Sequence, residues 1–360
     1  MDILKNPWLG EGLPDPEGLA EGTISETPVA AETFLAGSPD GGPTLLLDRK
    51  DIAQAFGIGA LYFKDERNRM GLGSFKALGA AYAIAKRAGQ TVRDGNAEDP
   101  GTALEGVTFA CASAGNHGLS LATGAPLCGA KAAVFVSETV PEAFAVRLRQ
   151  TGATVVRAGA TYEDSMAEAE RQAEANGWVL LPDSTWPGMT GAGRDVMEGY
   201  LIMGTEISRQ IPEPPTHVFL QAGVGGLAAA CAFSARATWG RGVTIVVVEP
   251  DFAPALKASI QAGKAVTAPG PVSIMGRLDC KEPSHLALKY LAREADIFAT
   301  ISDEEAAETV ALLAEHDLAT TASGAAGIAA LHHAGAHARA LNLGPETRAL
   351  CYLSEGPEDG

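Results

Sequence analysis

At 360 residues the chain exceeds one ordinary core, and its 46% hydrophobic content with 42 glycines suits an α/β enzyme and excludes a disordered or fibrous chain. The formal net charge of −17 argues against nucleic acid and anionic membrane as partners, because both attract an excess of lysine and arginine. Five scattered cysteines make no CxxC or Cys/His cluster, the N-terminus has no signal-peptide pattern, and no apolar run approaches the ~20 residues of a membrane span, so a soluble, cytoplasmic, metal-free protein is expected.

Residues 1–43, rich in Gly, Pro and Glu, read as surface loops. A short apolar run at 44–48 leads to a helix over 51–56 and a strand over 60–63. An alanine-rich helix follows over 77–85, with Ser74 as its N-cap and Lys76 in its first turn. Residues 90–106 form an acidic, turn-rich insertion. From 107 onward strands and helices alternate: strands at 107–111, 131–136, 154–157 and 178–181, and helices at 119–128, 141–150 and from Thr161 to just before Gly177. Thr161 and Asp164 make a near capping box there. A helix over 196–211, a strand over 216–221, a helix over 228–237 and a strand over 243–248 continue the pattern. Ser302 and Glu305 form a capping box for a helix ending near 318, and 350–353 is the last strand. Alternation at this spacing implies parallel strands with right-handed crossovers.

Three loops carry the chemistry. Lys76 stands between a glycine-bearing turn (Gly71, Gly73) and an apolar helix, with Phe75, Ala77 and Leu78 as neighbours. A buried amine there loses proton affinity and becomes a nucleophile able to form a Schiff base. Ser113-Ala114-Gly115-Asn116-His117-Gly118 is a tight loop between a strand and a helix. Gly223-Val224-Gly225-Gly226-Leu227 places bare backbone N–H groups at a helix N-terminus, an anion site suited to a phosphate. Gly223-x-Gly225-x-x-Ala228, with Glu249 at the end of the next strand, also satisfies a dinucleotide fingerprint, so an NAD-dependent oxidoreductase is a rival reading. The Lys76 and Asn116 loops favour a pyridoxal phosphate (PLP) enzyme, which needs a Schiff-base lysine, a phosphate cradle and a ring-side donor. Ser354, after the last strand, is a candidate partner for the pyridine nitrogen. A neutral hydroxyl there makes the ring a weaker electron sink than a carboxylate partner would, which favours expulsion of a group from Cβ over transamination.

Ser74-Phe-Lys76, Ser113-Ala-Gly-Asn-His-Gly118, Gly223-Val-Gly-Gly-Leu227 and Leu353-Ser354, in that order, resemble the fold-type II PLP enzymes. Within that family the likeness is greatest to the diaminopropionate ammonia-lyases, through Phe63-Lys-Asp-Glu66, Asp183-Ser-Thr-Trp186, Met197-Glu-Gly-Tyr200, Thr216 to Gly223, and Ser354-Glu-Gly356. The resemblance implies two interleaved domains, each with a mostly parallel sheet flanked by helices. A larger cofactor-binding domain would take residues 1–78 and 189–360, and a smaller one residues 79–188 with the Asn116 loop. It implies that Lys76 holds PLP and acts as base and that Asn116 bonds the phenolic oxygen. The substrate carboxylate would go to Ser113 and the backbone of Ala114, Gly115 and His117. Phe75, Ser354 and Gly223 to Leu227 would hold the cofactor, Asp183 would meet a polar group on Cβ, and the protein would be a homodimer. The expected reaction is β-elimination on a small, diaminopropionate-like amino acid, giving a 2-oxo acid and ammonia. Serine/threonine dehydration and β-replacement are alternatives on the same scaffold. Ala114 stands where those lyases resemble one another in having an aspartate that serves one substrate enantiomer, which weighs against D-substrates. Plainer roles are His117 as a structural hydrogen-bonder, Asp183 as a helix cap and His332-His333 as helix surface.

Overall fold

A computed structural model describes residues 1–14, 18–25, 28–38 and 40–357. Among the described residues, eleven strands form two sheets. β1 (Asp2–Lys5), β2 (Leu46–Asp48), β3 (Ala60–Asp65), β8 (His217–Gln221), β9 (Thr244–Pro250), β10 (Ile297–Ile301) and β11 (Arg348–Leu353) make a seven-stranded sheet, ordered β1-β10-β9-β8-β11-β3-β2. Its inner strands run parallel, and only the two edges, β1 on β10 and β2 on β3, pair antiparallel. β4 (Thr108–Ala112), β5 (Lys131–Val136), β6 (Thr154–Arg157) and β7 (Val179–Leu180) make a second, wholly parallel sheet, ordered β6-β5-β4-β7.

Both faces of the larger sheet are covered, which is why its strands read as continuous apolar runs. Val218, Leu220, Ile245 and Val247 point into a core that also contains Phe109 and Val134 of the smaller sheet, so one apolar cluster joins the two. Their alternates Phe219, Val246 and Val248 pack on the opposite face, against the helix Ala322–His332. Among the described residues, no helix is long and apolar enough to cross a membrane.

Several elements depart from the sequence reading. Residues 1–43 are not loops throughout, since β1 and a helix at Val29–Ala36 lie within them. The helix expected over 196–211 is two helices, Gly191–Gly199 and Leu201–Gln210, interrupted at Tyr200. Gly199 lies where a Cβ would stand 2.4 Å from the Leu78 carbonyl, a close crossing of helices that hydrophobic periodicity does not encode. The helix bearing Lys76 continues to Arg93 and so takes in the start of the expected insertion. The Thr161/Asp164 box and the left-handed Gly177 stop stand as read.

Candidate active site

β4, β8 and β11 each deliver one loop at the carboxyl end of a parallel strand, where open α/β sheets place ligands. The loop after β11 is bonded to the turn bearing Lys76. Phe75 N donates to Ser354 O (3.0 Å), Gly356 N donates to Gly73 O (2.9 Å), and Ser74 bridges Glu355. Lys76 is itself the N-cap of the helix Ala77–Arg93, two positions after Ser74, the cap expected from the sequence. Ser74 Oγ accepts from its N–H at 3.3 Å.

A buried charge network fixes the approach to this turn. The Arg69 guanidinium donates to both carboxylate oxygens of Glu66 and both of Glu206, each at 2.7 Å. Lys64 Nζ pairs with Glu206 at 2.5 Å. All four side chains are buried, and two cations balance two anions. Met70, immediately after Arg69, is held at φ 51, an uncommon conformation for a residue with a side chain.

The Lys76 ammonium donates to Asp183 Oδ2 at 2.6 Å. It lies 5.5 Å from the Phe75 ring centre and 5.9 Å from that of Tyr200, and these two rings meet edge to face. Burial pushes the lysine pKa down, as the sequence reading assumed. The Asp183 charge and hydrogen bond outweigh it and hold Lys76 above its ordinary value. Burial would likewise raise Asp183, but the Lys76 charge, with His117, holds the carboxyl below its usual range. The pair is therefore ionised, and the low-pKa amine expected from burial alone is not what this pairing gives. Asp183 is no helix cap. Its loop is anchored by Thr185, whose N–H donates to Ser284 Oγ (3.1 Å) and whose Oγ1 accepts from Leu286 N (2.8 Å).

On the second loop, Ser113 Oγ accepts from Gly115 N (3.2 Å) and Gly118 N (3.0 Å) and donates to Gly115 O (3.3 Å), so it stabilises the turn. Ala114 is exposed at its crest. Asn116 Nδ2 donates to Glu355 Oε2 at 2.6 Å. His117 Nε2 stands 2.8 Å from Leu181 O, which requires it to be the N–H, and the buried Nδ1 has no partner among the described residues. Burial lowers the His117 pKa, so the ring is neutral.

The third loop is a cradle in which Gly223 and Gly225 leave little room for a Cβ. A Cβ on Gly223 would stand 3.0 Å from Cys280 Sγ and 3.1 Å from the Arg277 carbonyl oxygen and the Leu278 Cα. Gly225 is the N-cap of the helix Gly226–Trp239 at φ 101, with no side-chain cap. The first N–H groups of that helix, including those of Gly226 and Leu227, have no intrahelical acceptors. The Val224 N–H bonds Cys280, whose thiol burial pushes up to about 12. These residues fit a phosphate-bearing cofactor. The rival fingerprint fails on Glu249, which is fully buried and gives both oxygens to Leu256 N (2.7 Å) and Lys257 N (2.8 Å). A ribose cannot reach it.

The structure thus gathers Lys76, Phe75, Asp183 and His117 on one side, joins Asn116 to the Lys76 turn through Glu355, and bonds Ser354 to that turn directly. Sequence reasoning assigned no role to Tyr200, Glu355, Arg277 or Cys280. Tyr200 and Glu355 lie in stretches that carried the resemblance, whereas Arg277 and Cys280 lie in an irregular segment with no periodic signal. His332 stands half-buried against Phe56, with ring centres 5.2 Å apart, and is not plain helix surface.

Residues 37–355 match the family described as pyridoxal-phosphate dependent enzyme. The diaminopropionate ammonia-lyase of Escherichia coli (strain K12) is 31% identical over 275 residues, covering 74% of this chain and 69% of that protein. The L-threonine ammonia-lyase of Geobacter sulfurreducens is 29% identical over 317 residues, covering 88% of this chain and 71% of that one. The crystal structure of the Escherichia coli diaminopropionate ammonia lyase with an aminoacrylate-PLP azomethine intermediate superimposes with a TM-score of 0.86, at 27% identity, over 99% of this chain and 93% of that one.

Proposed function

The chain belongs to the pyridoxal-phosphate dependent enzymes, and from that premise we propose that it is an ammonia-lyase that removes a β-amino group from a small diamino acid. The reaction we assign converts 2,3-diaminopropionate and one water into pyruvate and two ammonia. Pyridoxal phosphate, when bound, supplies the electron sink that makes the Cα proton removable. The chain's own groups do the rest. Lys76 Nζ holds the cofactor and then takes the Cα proton as general base. The amides of Gly223 and of Gly225 to Leu227 hold the phosphate, Asn116 and Ser354 orient the ring, and the Ser113–His117 turn receives the carboxylate.

One observation carries the choice of leaving group. Asp183 is a carboxylate kept ionised in a largely buried site, with the Lys76 ammonium as its cation at 2.6 Å. While the lysine nitrogen is joined to the cofactor it no longer presents an ammonium to Asp183, and a buried carboxylate that loses its donors is costly. A substrate with an ammonium on Cβ restores the pair; a serine hydroxyl does not. Oδ2 then holds the ammonium on Cβ at the position where it departs. The names of the Escherichia coli and Geobacter relatives support the lyase reading. The two sheets support a division into 1–78 with 189–360, and 79–188. A cytoplasmic homodimer follows from the family resemblance.

The test is to supply L-diaminopropionate, L-serine, L-threonine, and L-serine with sulfide, and to measure oxo acid and ammonia. The proposal expects L-diaminopropionate to be the best substrate, with about two ammonia per oxo acid, as the balanced reaction requires. Faster turnover of serine or threonine would make the protein a dehydratase. A sulfur-containing product would make it a β-replacement enzyme.

A further inference from the structure

The later turns of the helix Ala77–Arg93 present Lys86, Arg87, Gln90 and Arg93 on one face, at helical spacing. They line a cavity of about 330 Å³ with an apolar floor, Val179 and Leu181 at β7, and a far wall formed by the helix Gly191–Gly199. Arg87 lies eleven residues along its helix from Lys76, about 16 Å at 1.5 Å per residue, so this cavity is separate from the cofactor loops. Asp195 is the one carboxylate lining it among the described residues, and it is already neutralised. Its Oδ1 accepts from Lys86 Nζ at 2.7 Å and from Arg194 Nη2 at 2.9 Å. The two arginines of the cavity have no such partner. Arg93 Nη2 donates to Gln90 Oε1 at 2.8 Å, and Gln90 Nε2 donates in turn to Asp94 at 2.6 Å, so an amide stands between that arginine and the carboxylate. Arg87 is held over Phe109, 5.9 Å from the ring centre, and donates to no group among the described residues. The chain has 44 acidic residues against 27 basic ones, yet neither guanidinium forms an ion pair among the described residues.

We propose that this cavity binds a small carboxylate or phosphate anion between Arg87 and Arg93, independently of the reaction assigned above. A guanidinium presents its N–H groups as a planar fork that matches two oxygens of either group. Stacking on Phe109 fixes the plane of Arg87 and keeps the donors at its edge for a ligand. Gln90 holds Arg93 through one donor and leaves the others. Lys86, committed to Asp195 and to Glu198 (2.6 Å), adds positive potential without a contact. The floor of Val179 and Leu181 suits a short aliphatic body, and the volume lies at the small end of ligand pockets, about 300–1,000 Å³. Because the protein's net charge of −17 repels anions at long range, affinity has to come from these local contacts.

The experiment uses cofactor-loaded protein, so that the Gly223 cradle is filled, at low ionic strength. Inorganic phosphate and butyrate are titrated calorimetrically into wild type and into the double variant Arg87→Gln, Arg93→Gln. In parallel, phenylglyoxal labelling of wild-type arginines is mapped by mass spectrometry with and without each anion. Wild type is expected to bind at least one of the two, the tighter anion telling whether the ligand class is phosphate or carboxylate. The double variant should weaken that anion about 10-fold or more. The anion should protect Arg87 and Arg93 from the label, while Arg147 and Arg339, which are also exposed, react as before. The labelling result stands on wild type alone and holds even if the double variant fails to fold. Binding of neither anion, unchanged binding in the double variant, or protection shared equally by Arg147 and Arg339 overturns the proposal.

Discussion

Replacing Asp183 by asparagine keeps the side chain's shape and removes its charge. In the structure Oδ2 accepts from an ammonium at 2.6 Å with the carboxylate 24% exposed, so the interaction is only partly screened. A hydrogen bond between charged partners contributes about 1.5–3 kcal/mol, against about 0.5–1.5 kcal/mol for a neutral one. At about tenfold per 1.4 kcal/mol, kcat/KM for L-diaminopropionate should fall about 10- to 150-fold in Asp183→Asn. For L-serine, which presents a neutral hydroxyl, the loss should be about 2- to 10-fold. The assay is oxo-acid release from both substrates under identical conditions, with cofactor content measured for each preparation. The quantity that decides is the ratio of the two kcat/KM values, which should drop by about tenfold. An equal loss on both substrates would make Asp183 a general support for Lys76. It would refute the argument that its charge selects a β-ammonium.

Other consequences follow from the same geometry. Lys76→Ala should abolish oxo-acid release and the visible cofactor band together. Gly223→Ala sets a Cβ 3.1 Å from the Arg277 carbonyl oxygen, and should weaken cofactor retention on dialysis while the far-ultraviolet circular dichroism stays at wild type. Arg69→Met leaves two buried carboxylates with Lys64 alone, and should lower unfolding free energy in urea by about 3–5 kcal/mol, the usual cost of breaking a buried ion pair. In cofactor-free protein, Asp183 is shifted down from 3.8 and Lys76 up from 10.5. The stability from this pair is therefore fully present between those two values. It is lost as pH falls through the depressed Asp183 pKa or rises through the raised Lys76 pKa. The stability difference between wild type and Lys76→Ala should be flat across neutral pH and narrow at both extremes.

Much of this architecture was legible because strand, loop and helix alternate with clear chemical punctuation. The boxes at Thr161 and Ser302, the left-handed stop at Gly177 and the apolar runs over 131–136 and 217–221 are local signals with local causes. Elements whose causes are tertiary were not legible. β1 becomes a strand by pairing with β10 at the far end of the chain, and the break at Tyr200 answers to a helix crossing at Gly199. At the site, lysine, glycine and asparagine announced themselves by type and setting. The protonation of Lys76 did not, because it depends on a carboxylate 107 residues away. Arg277 was invisible for a similar reason: only the fold brings it against Gly115.

The whole account depends on which lysine carries the cofactor. Borohydride reduction of the loaded protein, proteolysis and mass spectrometry of the peptides decide it directly. The reduced cofactor mass should lie on the peptide containing Lys76. Its appearance on Lys64 or Lys257, the two lysines buried among the described residues, or on no peptide at all, would contradict the account.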